Sequence, residues 1–107
     1  MEEISIILHQ KVTDYLEELV EILFQQDYFG FEENAQDYVS KIYDFIEFEL
    51  ANFPSKKTPT NIQEIGSQYV FYKANQSTTW YIFFEKVGNK ILVTYISNSH
   101  TEIIRFL

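Results

Sequence analysis

The sequence predicts an α+β domain: an N-terminal strand, an antiparallel helix pair and a three-stranded antiparallel meander, with the helices on one sheet face. Two observations lead to this prediction. Apolar residues recur at helical spacing in two segments of the first half, and three aromatic and β-branched runs follow in the second half. A chain of 107 residues has room for one hydrophobic core, so we expect a single domain over residues 1–107.

The first half of the chain predicts a strand followed by two helices. Residues 4–8 are apolar and typical of a strand, and residues 11–26 have the i, i+3, i+4, i+7 spacing of one helical face. Gly30 is the expected left-handed stop after this helix, and Pro54 ends the second helix because proline lacks the backbone N–H. The second apolar stripe consists of Ala35, Tyr38, Val39, Ile42, Ile46, Leu50 and Phe53. The short turn between the helices predicts an antiparallel pair.

The second half begins with a connector and continues with the meander. Residues 55–68 are longer than an ordinary loop, and Ile62 and Ile65 are expected to anchor them to the core. Strands are predicted over the runs 69–73, 79–84 and 90–96. The expected turns are residues 75–77 and the pair Gly88-Asn89, because a Gly-Asn pair suits the positive φ angles of a tight hairpin.

The middle strand of the meander is apolar on both faces. Trp80, Ile82 and Phe84 alternate with Tyr81 and Phe83, so each set belongs to its own sheet face. One face is expected to pack on the helices. The other must be covered by the C-terminal tail, by a partner or by a second copy of the chain.

Charge and composition exclude several classes of function. Residues 1–53 hold thirteen acids and two lysines (net −11), and residues 54–107 hold three acids and six bases (net +3), which together give −8. An acidic protein lacks the clustered cations that non-specific nucleic-acid binding requires. With no cysteine, thiolate zinc sites and cysteine nucleophiles are excluded.

The N-terminus and the lengths of the apolar runs predict where the protein acts. An acidic start is unlike a secretory signal, and no apolar run reaches the roughly 18–20 residues of a membrane helix. We therefore expect a cytoplasmic protein that does not bind membranes. There is no phosphate-binding glycine loop or nucleophile elbow in the sequence, so no cofactor is expected.

The order of the predicted elements resembles the RelE/ParE superfamily of small toxins from bacterial toxin–antitoxin modules, in particular its plasmid-stabilisation branch. The likeness covers nearly the whole chain. The residues that carry it are Phe29-Gly30-Phe31, Tyr38-Val39-Ser40-Lys41-Ile42-Tyr43, Pro54, Gly66-Ser67-Gln68-Tyr69-Val70-Phe71-Tyr72, Thr78-Thr79-Trp80-Tyr81-Ile82-Phe83-Phe84 and Asn98-Ser99-His100. This resemblance implies a type II toxin neutralised by a cognate antitoxin, with DNA gyrase or the ribosome as candidate targets.

The chain departs from the RNA-cleaving members of that superfamily. Those toxins surround the scissile phosphate with lysine and arginine, whereas here Ser77-Thr78-Thr79 stands where arginine is common and Arg105 is the nearest arginine to His100. Members that poison DNA gyrase need no catalytic residues of their own. The resemblance therefore favours a toxin that acts by binding a target, with a ribosome-associated RNA endonuclease as the alternative.

Three residues are candidates for catalysis under the endonuclease alternative. His100 lies where the resemblance places active-site groups, and histidine exchanges protons near neutral pH. Lys73 and Arg105 would stabilise negative charge on the phosphate. The competing interpretation is an exposed or capping histidine and lysines that keep the strands soluble. His9 and His100 without an ordered carboxylate spacing give only weak support to a metal site, so none is predicted.

The partner-binding candidates are aromatic and aliphatic residues of the meander and tail. We expect the antitoxin to insert a helix or a strand against the apolar sheet face that the helices leave open. The residues assigned to this role are Trp80, Tyr81, Phe83, Tyr95, Ile103 and Phe106. A third possibility is a non-toxic interaction module that forms a homodimer through the tail 103–107.

Overall fold

The computed structural model describes residues 4–25, 32–74, 76 and 78–100. Its elements in chain order are β1 (Ser5–Leu8), α1 (Gln10–Gln25), α2 (Glu32–Phe48), β2 (Lys56–Lys57), a 3-10 helix (Thr60–Ile65), β3 (Gln68–Lys73), β4 (Thr79–Val87) and β5 (Lys90–Asn98). The predicted α+β class is confirmed. The predicted stop at Gly30 and the whole tail 101–107 lie outside the described residues.

Helix α1 follows its apolar stripe closely. Val12, Leu16 and Leu19 are buried, whereas the acidic residues between them are exposed. His9 caps the helix start, because its Nδ1 accepts the Lys11 backbone N–H at 3.1 Å. The imidazole ring of His9 therefore stabilises the start of α1.

Helix α2 is shorter than the sequence predicts. It ends at Phe48, and residues 49–53 form turns before Pro54. The backbone N–H of Leu50 donates to the Phe45 carbonyl at 3.1 Å, five residues back, which is a bond of a helix end rather than of a continuing helix. Leu50 is still buried in the core, so its apolar spacing suggested a longer helix than forms.

The sheet has five strands in the order β1-β5-β4-β3-β2, one more than the N-terminal strand and the three-stranded meander that the sequence predicts. The meander β3-β4-β5 forms the antiparallel centre as predicted. β1 joins it parallel to β5, with Ile6 beside Ile91, and the two-residue strand β2 pairs antiparallel with β3. The sequence signal for β2 is weak because Lys56 and Lys57 are both exposed and show no apolar alternation.

Both helices pack on one face of the sheet, as predicted. The core there is formed by buried residues of α1, α2 and the helix-facing positions of β3, β4 and β5. The β4–β5 hairpin turns at Gly88-Asn89, where Gly88 has φ of +60°. Among the described residues, neither helix combines the length and the apolar character needed to cross a bilayer.

The opposite, outer face is covered in part by residues 58–67, here called the strap. Gly66 lies so close to the sheet that a Cβ atom added to it would be 2.8 Å from the Phe83 Cβ. A β-bulge at Thr94 separates the pairs Phe83–Tyr95 and Phe84–Val93, and the Thr94 hydroxyl donates to the Ile65 carbonyl of the strap.

A carboxylate fixes the end of the strap. The Glu85 side chain accepts the Ser67 backbone N–H at 2.6 Å and the Ser67 hydroxyl at 2.8 Å. Of the two predicted anchors of the connector, Ile62 is buried and Ile65 is half-buried. The chain's own connector therefore covers part of the face that the sequence assigned to the tail, to a partner or to a second copy.

Candidate partner-binding site

Trp80 is not available to a partner, because it lies on the helix side of the sheet. Only 2% of its surface is exposed. Its indole N–H donates to the Tyr38 hydroxyl at 2.9 Å, and its ring centroid is 6.3 Å from that of Tyr15. The assignment of Trp80 to partner binding is therefore wrong, since α1 and α2 already cover this side chain.

Phe83 is covered from the other side. It is 0% exposed, with the strap above it and the rings of Tyr69 and Tyr95 beside it at 5.5 Å and 6.0 Å between centroids. Its assignment to partner binding is wrong as well. The sequence showed correctly that this face is apolar, but the covering comes from residues 58–67 of the same chain.

Of the four predicted partner residues that the structure describes, two remain accessible. Tyr81 and Tyr95 are half-buried, and the Tyr81 ring lies 6.1 Å from the Tyr69 ring. Ile103 and Phe106 lie outside the described residues. The accessible part of the predicted surface therefore consists of tyrosine side chains at the sheet edge and end.

Of the predicted catalytic residues that the structure describes, His100 and Lys73 belong to opposite faces of the sheet. His100 is exposed, its Nε2 is 3.1 Å from the Thr78 hydroxyl, and Thr78 precedes the helix-side residue Trp80 by two positions. Lys73 follows Tyr72, whose ring stacks on Phe45 on the helix side at 5.1 Å. Because strand side chains alternate, Lys73 belongs to the outer face, opposite to Thr78.

Arg105 lies outside the described residues. The backbone N–H of His100 donates to the Asn98 side-chain oxygen at 2.9 Å, which holds the chain in a turn after β5. This is the capping arrangement that competes with a catalytic role for His100.

A cleft lies between the start of α1 and the last part of β5, with a volume of about 220 Å³. We call it the α1–β5 cleft. It exists because β1 pairs with β5 only as far as Val93, after which the chain turns into α1 at His9. Its lining residues are Lys11, Val12, Tyr15, Tyr95, Ile96 and Ser97.

The cleft combines an apolar lining with one cation and neutral phenols. The Lys11 ammonium lies 5.7 Å from the centre of the Tyr95 ring, within cation–π range. Burial, followed by the nearby Tyr95 and Tyr38 hydroxyls, raises the pKa of Tyr15 above its ordinary value. A raised pKa keeps the Tyr15 hydroxyl protonated at neutral pH, so this group is not a base there.

The pKa of Tyr38, a half-buried residue of α2 outside the cleft, is also raised. Burial raises the pKa of Tyr38, although the hydrogen bond from Trp80 lowers it in part. In the cleft itself, Tyr15 and Lys11 suit the binding of an apolar group that carries a negative charge. They do not supply a group that exchanges protons near neutral pH.

Lys11 and Tyr15 were not predicted as site residues, because little in the sequence marks them. Tyr15 belongs to the apolar stripe of α1 and was assigned to the core. Lys11 is one of only two bases among residues 1–53, which is the one signal that marks it as unusual. Its position beside β5 depends on the parallel β1–β5 pairing, which the pattern of the chain did not predict.

Comparison of the chain with protein-family models, with curated proteins and with solved structures found no match. In the described part of the chain, no three histidine, cysteine, aspartate or glutamate side chains gather in a metal-binding group.

Proposed function

We propose that this chain is a toxin-like component of a bacterial type II toxin–antitoxin module that acts in the cytoplasm. In this proposal it binds a cellular target, such as DNA gyrase or the ribosome, and a cognate antitoxin neutralises it. The resemblance stated above is the basis for the class. The order of strand, helix pair and antiparallel meander supports it.

One observation favours binding over cleavage as the mode of action. Lys73 and the His100–Thr78 pair belong to opposite faces of the sheet, whereas an accessible tyrosine-lined cleft lies at the end of β5. Side chains on opposite faces of one sheet, such as Lys73 and His100, cannot contact the same phosphate group. An apolar cleft with a single lysine, in contrast, has the composition of a protein-binding surface.

The test is controlled expression of the chain alone in a bacterial host. We expect growth arrest on induction, and relief of the arrest when the neighbouring reading frame is expressed with it. The matched control is the same gene with an early stop codon, which separates toxicity of the protein from that of its message. Unimpeded growth while the folded protein accumulates would exclude the proposal.

The endonuclease alternative is tested in the same host, because His100 is exposed at the sheet end. His100→Ala should leave both the fold and the growth arrest unchanged if the chain acts by binding. Loss of the arrest together with loss of message cleavage in this variant would favour the endonuclease instead. Thr78→Ala removes the hydroxyl beside His100 and serves as the control for a merely structural contact.

A further inference from the structure

The outer face of the sheet carries accessible aromatic rings beside lysines where the strap does not cover it. Phe71 of β3 and Tyr81 of β4 lie directly opposite each other in the sheet register. Phe71 is 37% exposed and Tyr81 is half-buried, so both rings can be reached by a partner. The Lys56 ammonium lies 5.5 Å from the centre of the Phe71 ring, and Lys73 belongs to the same face two residues along β3. We call these four residues the β3 patch.

Neighbouring rings support the aromatic part of the patch. The Phe53 ring meets Phe71 edge-on with 5.9 Å between centroids, and the Tyr69 ring is tilted against Tyr81 at 6.1 Å. Tyr69 is itself only 8% exposed. Side chains that are held in place before binding lose little conformational freedom when a partner covers them. The patch therefore has the properties of a preformed binding surface.

The charges of the domain are divided between its two layers. The sequences of the five described strands hold five lysines and one acid, Glu85, whereas those of α1 and α2 hold nine acids and two lysines. Glu85 is already occupied, because its side-chain oxygens accept hydrogen bonds from Ser67. The sheet therefore has an excess of positive charge and the helix layer an excess of negative charge.

A second cleft adjoins the patch at the β2 edge of the sheet. Its volume is about 350 Å³, and its lining residues are Ser55, Lys56, Lys57, Ser67 and Gln68. The two hydroxyls already have partners, since the Ser55 hydroxyl donates to the Gln68 Oε1 at 2.9 Å and the Ser67 hydroxyl donates to Glu85. The charged groups of this lining are lysine ammonium groups, so a carboxylate fits the cleft.

Charge and exposure together select one class of occupant. A carboxylate is attracted to Lys56, whereas a basic segment would be repelled by it. An aromatic or large aliphatic side chain gains from covering Phe71 and Tyr81, because it removes apolar area of both rings from water. The net charge of −8 disfavours nucleic acid, whose phosphates require clustered cations.

We propose that the β3 patch binds an acidic segment of a partner protein that also carries an apolar anchor. The segment places an aromatic or large aliphatic side chain over Phe71 and Tyr81, and a carboxylate next to Lys56. This inference rests on the exposure and charge of the patch and not on the proposed function, so it holds whether or not the partner is an antitoxin. Binding does not require the strap to open, because the patch lies beside the strap.

The test begins with a phage-displayed library of random linear heptapeptides selected on the immobilised chain. We expect the selected peptides to combine acidic residues with an aromatic or large aliphatic residue. Synthetic copies should lose affinity by about tenfold or more for Lys56→Glu, because the change places like charges together. The matched control is Lys86→Glu, which makes the same change in net charge at an exposed position of the other sheet face. It should change affinity by less than about twofold.

The apolar anchor is tested with a second matched pair of variants. Phe71 and Leu92 are both 37% exposed and both belong to the outer face, but Leu92 lies opposite Glu85, away from the patch. Phe71→Ala should weaken peptide binding by about tenfold or more, and Leu92→Ala by less than about twofold. An unfolding curve for each variant shows that it is folded in the binding assay.

A further measurement uses the unmodified protein, so the test does not depend on how a variant folds. On saturation with a selected peptide, the amide resonances of Lys56, Phe71, Lys73 and Tyr81 should shift. Those of Leu92 and of α1 should stay in place. This pattern would place the peptide on the β3 patch rather than in the α1–β5 cleft.

Several outcomes would overturn the proposal. One is a library that yields no enriched acidic peptide, and another is a set of peptides that bind Lys56→Glu and Lys86→Glu equally well. Resonance shifts centred on Leu92 or α1 would place the binding surface elsewhere. If a single-stranded oligouridylate shifts the amides of the patch and the peptides do not, the patch binds nucleic acid. If sedimentation shows a dimer that Lys56→Glu dissociates, the patch holds a second copy of the chain.

Discussion

The two faces of the sheet are both apolar in sequence, but the chain covers them in different ways. Beneath α1 and α2, side chains such as Trp80 and Ile82 interdigitate with two amphipathic helices. On the outer face, the strap covers Phe83 through a close-packed glycine and through hydrogen bonds from or to Thr94 and Glu85. Trp80 on the helix side and Phe83 on the outer face are both almost completely buried. Two helices cover the first, whereas ten residues of the connector cover the second.

The two coverings are expected to differ in how much they contribute to the free energy of unfolding and in how easily a partner can reach the sheet beneath them. Helix packing removes much apolar area from water and is spread over many side chains, so it should set the global stability. The strap depends on a few polar contacts and should open more readily. A partner that approaches Phe83 on the outer face competes with the strap, whereas a partner at the α1–β5 cleft competes with no described segment of the chain.

The largest expected effect comes from removing the aromatic centre of the helix side. Trp80→Ala should lower the free energy of unfolding by about 3–5 kcal/mol, because it leaves a cavity between the sheet and α1. It also deprives the Tyr38 hydroxyl of its indole donor. Denaturant unfolding at 25 °C measures the loss. A change below about 1 kcal/mol would mean that the helices do not pack on this side chain.

Overpacking beneath the strap should give the next largest effect. Gly66→Ala would bring a Cβ within 2.8 Å of the Phe83 Cβ and 2.9 Å of the Phe84 backbone nitrogen, at a φ of +155°. We expect a loss of about 2 kcal/mol or more from the clash and the backbone strain together.

The matched control for Gly66 is Gly88, the other glycine with positive φ among the described residues. Gly88→Ala at φ of +60° meets no atom within 4 Å, so only the backbone cost of about 1 kcal/mol applies. Equal losses in the two variants would show that the strap does not press on the sheet.

A smaller effect is expected from the carboxylate that fixes the strap. Glu85→Gln keeps the shape of the side chain but removes the charge that accepts two bonds from Ser67, at a cost of about 1 kcal/mol. Glu64→Gln removes the same charge from an exposed position of the strap and should change stability by less than about 0.5 kcal/mol. Indistinguishable unfolding curves for the two variants would refute the fixing role of Glu85.

The smallest effect concerns alkaline pH and two tyrosines of the helix side. Burial raises the pKa of Tyr15 and Tyr38 in the folded chain, so the unfolded chain releases these protons first as pH rises. Stability is therefore full below the unfolded pKa of about 10 and falls as pH rises above it toward the raised folded pKa. Between pH 9 and pH 11, the free energy of unfolding should fall less steeply with pH in Tyr15→Phe than in the unmodified chain. An unchanged slope would contradict the burial of that hydroxyl.

The two faces of the sheet also differ in how much of their covering the sequence predicts. Alternation along β4 predicted two apolar faces and the helix pair on one of them, because burial on both sides leaves a direct periodic signal. The strap gave no such signal, since its 3-10 helix is short and its attachment depends on contacts with Glu85 and Thr94 far along the chain.

The same reasoning separates the predicted and the unpredicted parts of the candidate site. Tyr95 was predicted as a partner-binding residue from its place in an aromatic strand, and it lines the cleft. Lys11 was not predicted as a binding residue. Its position beside Tyr95 follows from the parallel pairing of β1 with β5, which are far apart in the sequence. The local alternation of apolar and polar residues indicates the sheet face to which a residue belongs. It does not indicate which strand, distant in sequence, lies next to it.

Residue-specific amide hydrogen exchange tests the central contrast most directly. The strap amides to follow are Thr58, Ile62, Gly66 and Ser67, each of which donates a hydrogen bond. We expect them to exchange through a local opening, at a free energy below that of global unfolding, while amides of α1 and the centre of β4 exchange only with global unfolding. Equal protection of the strap and α1 would contradict the account, because both coverings of the sheet would then form one cooperative unit.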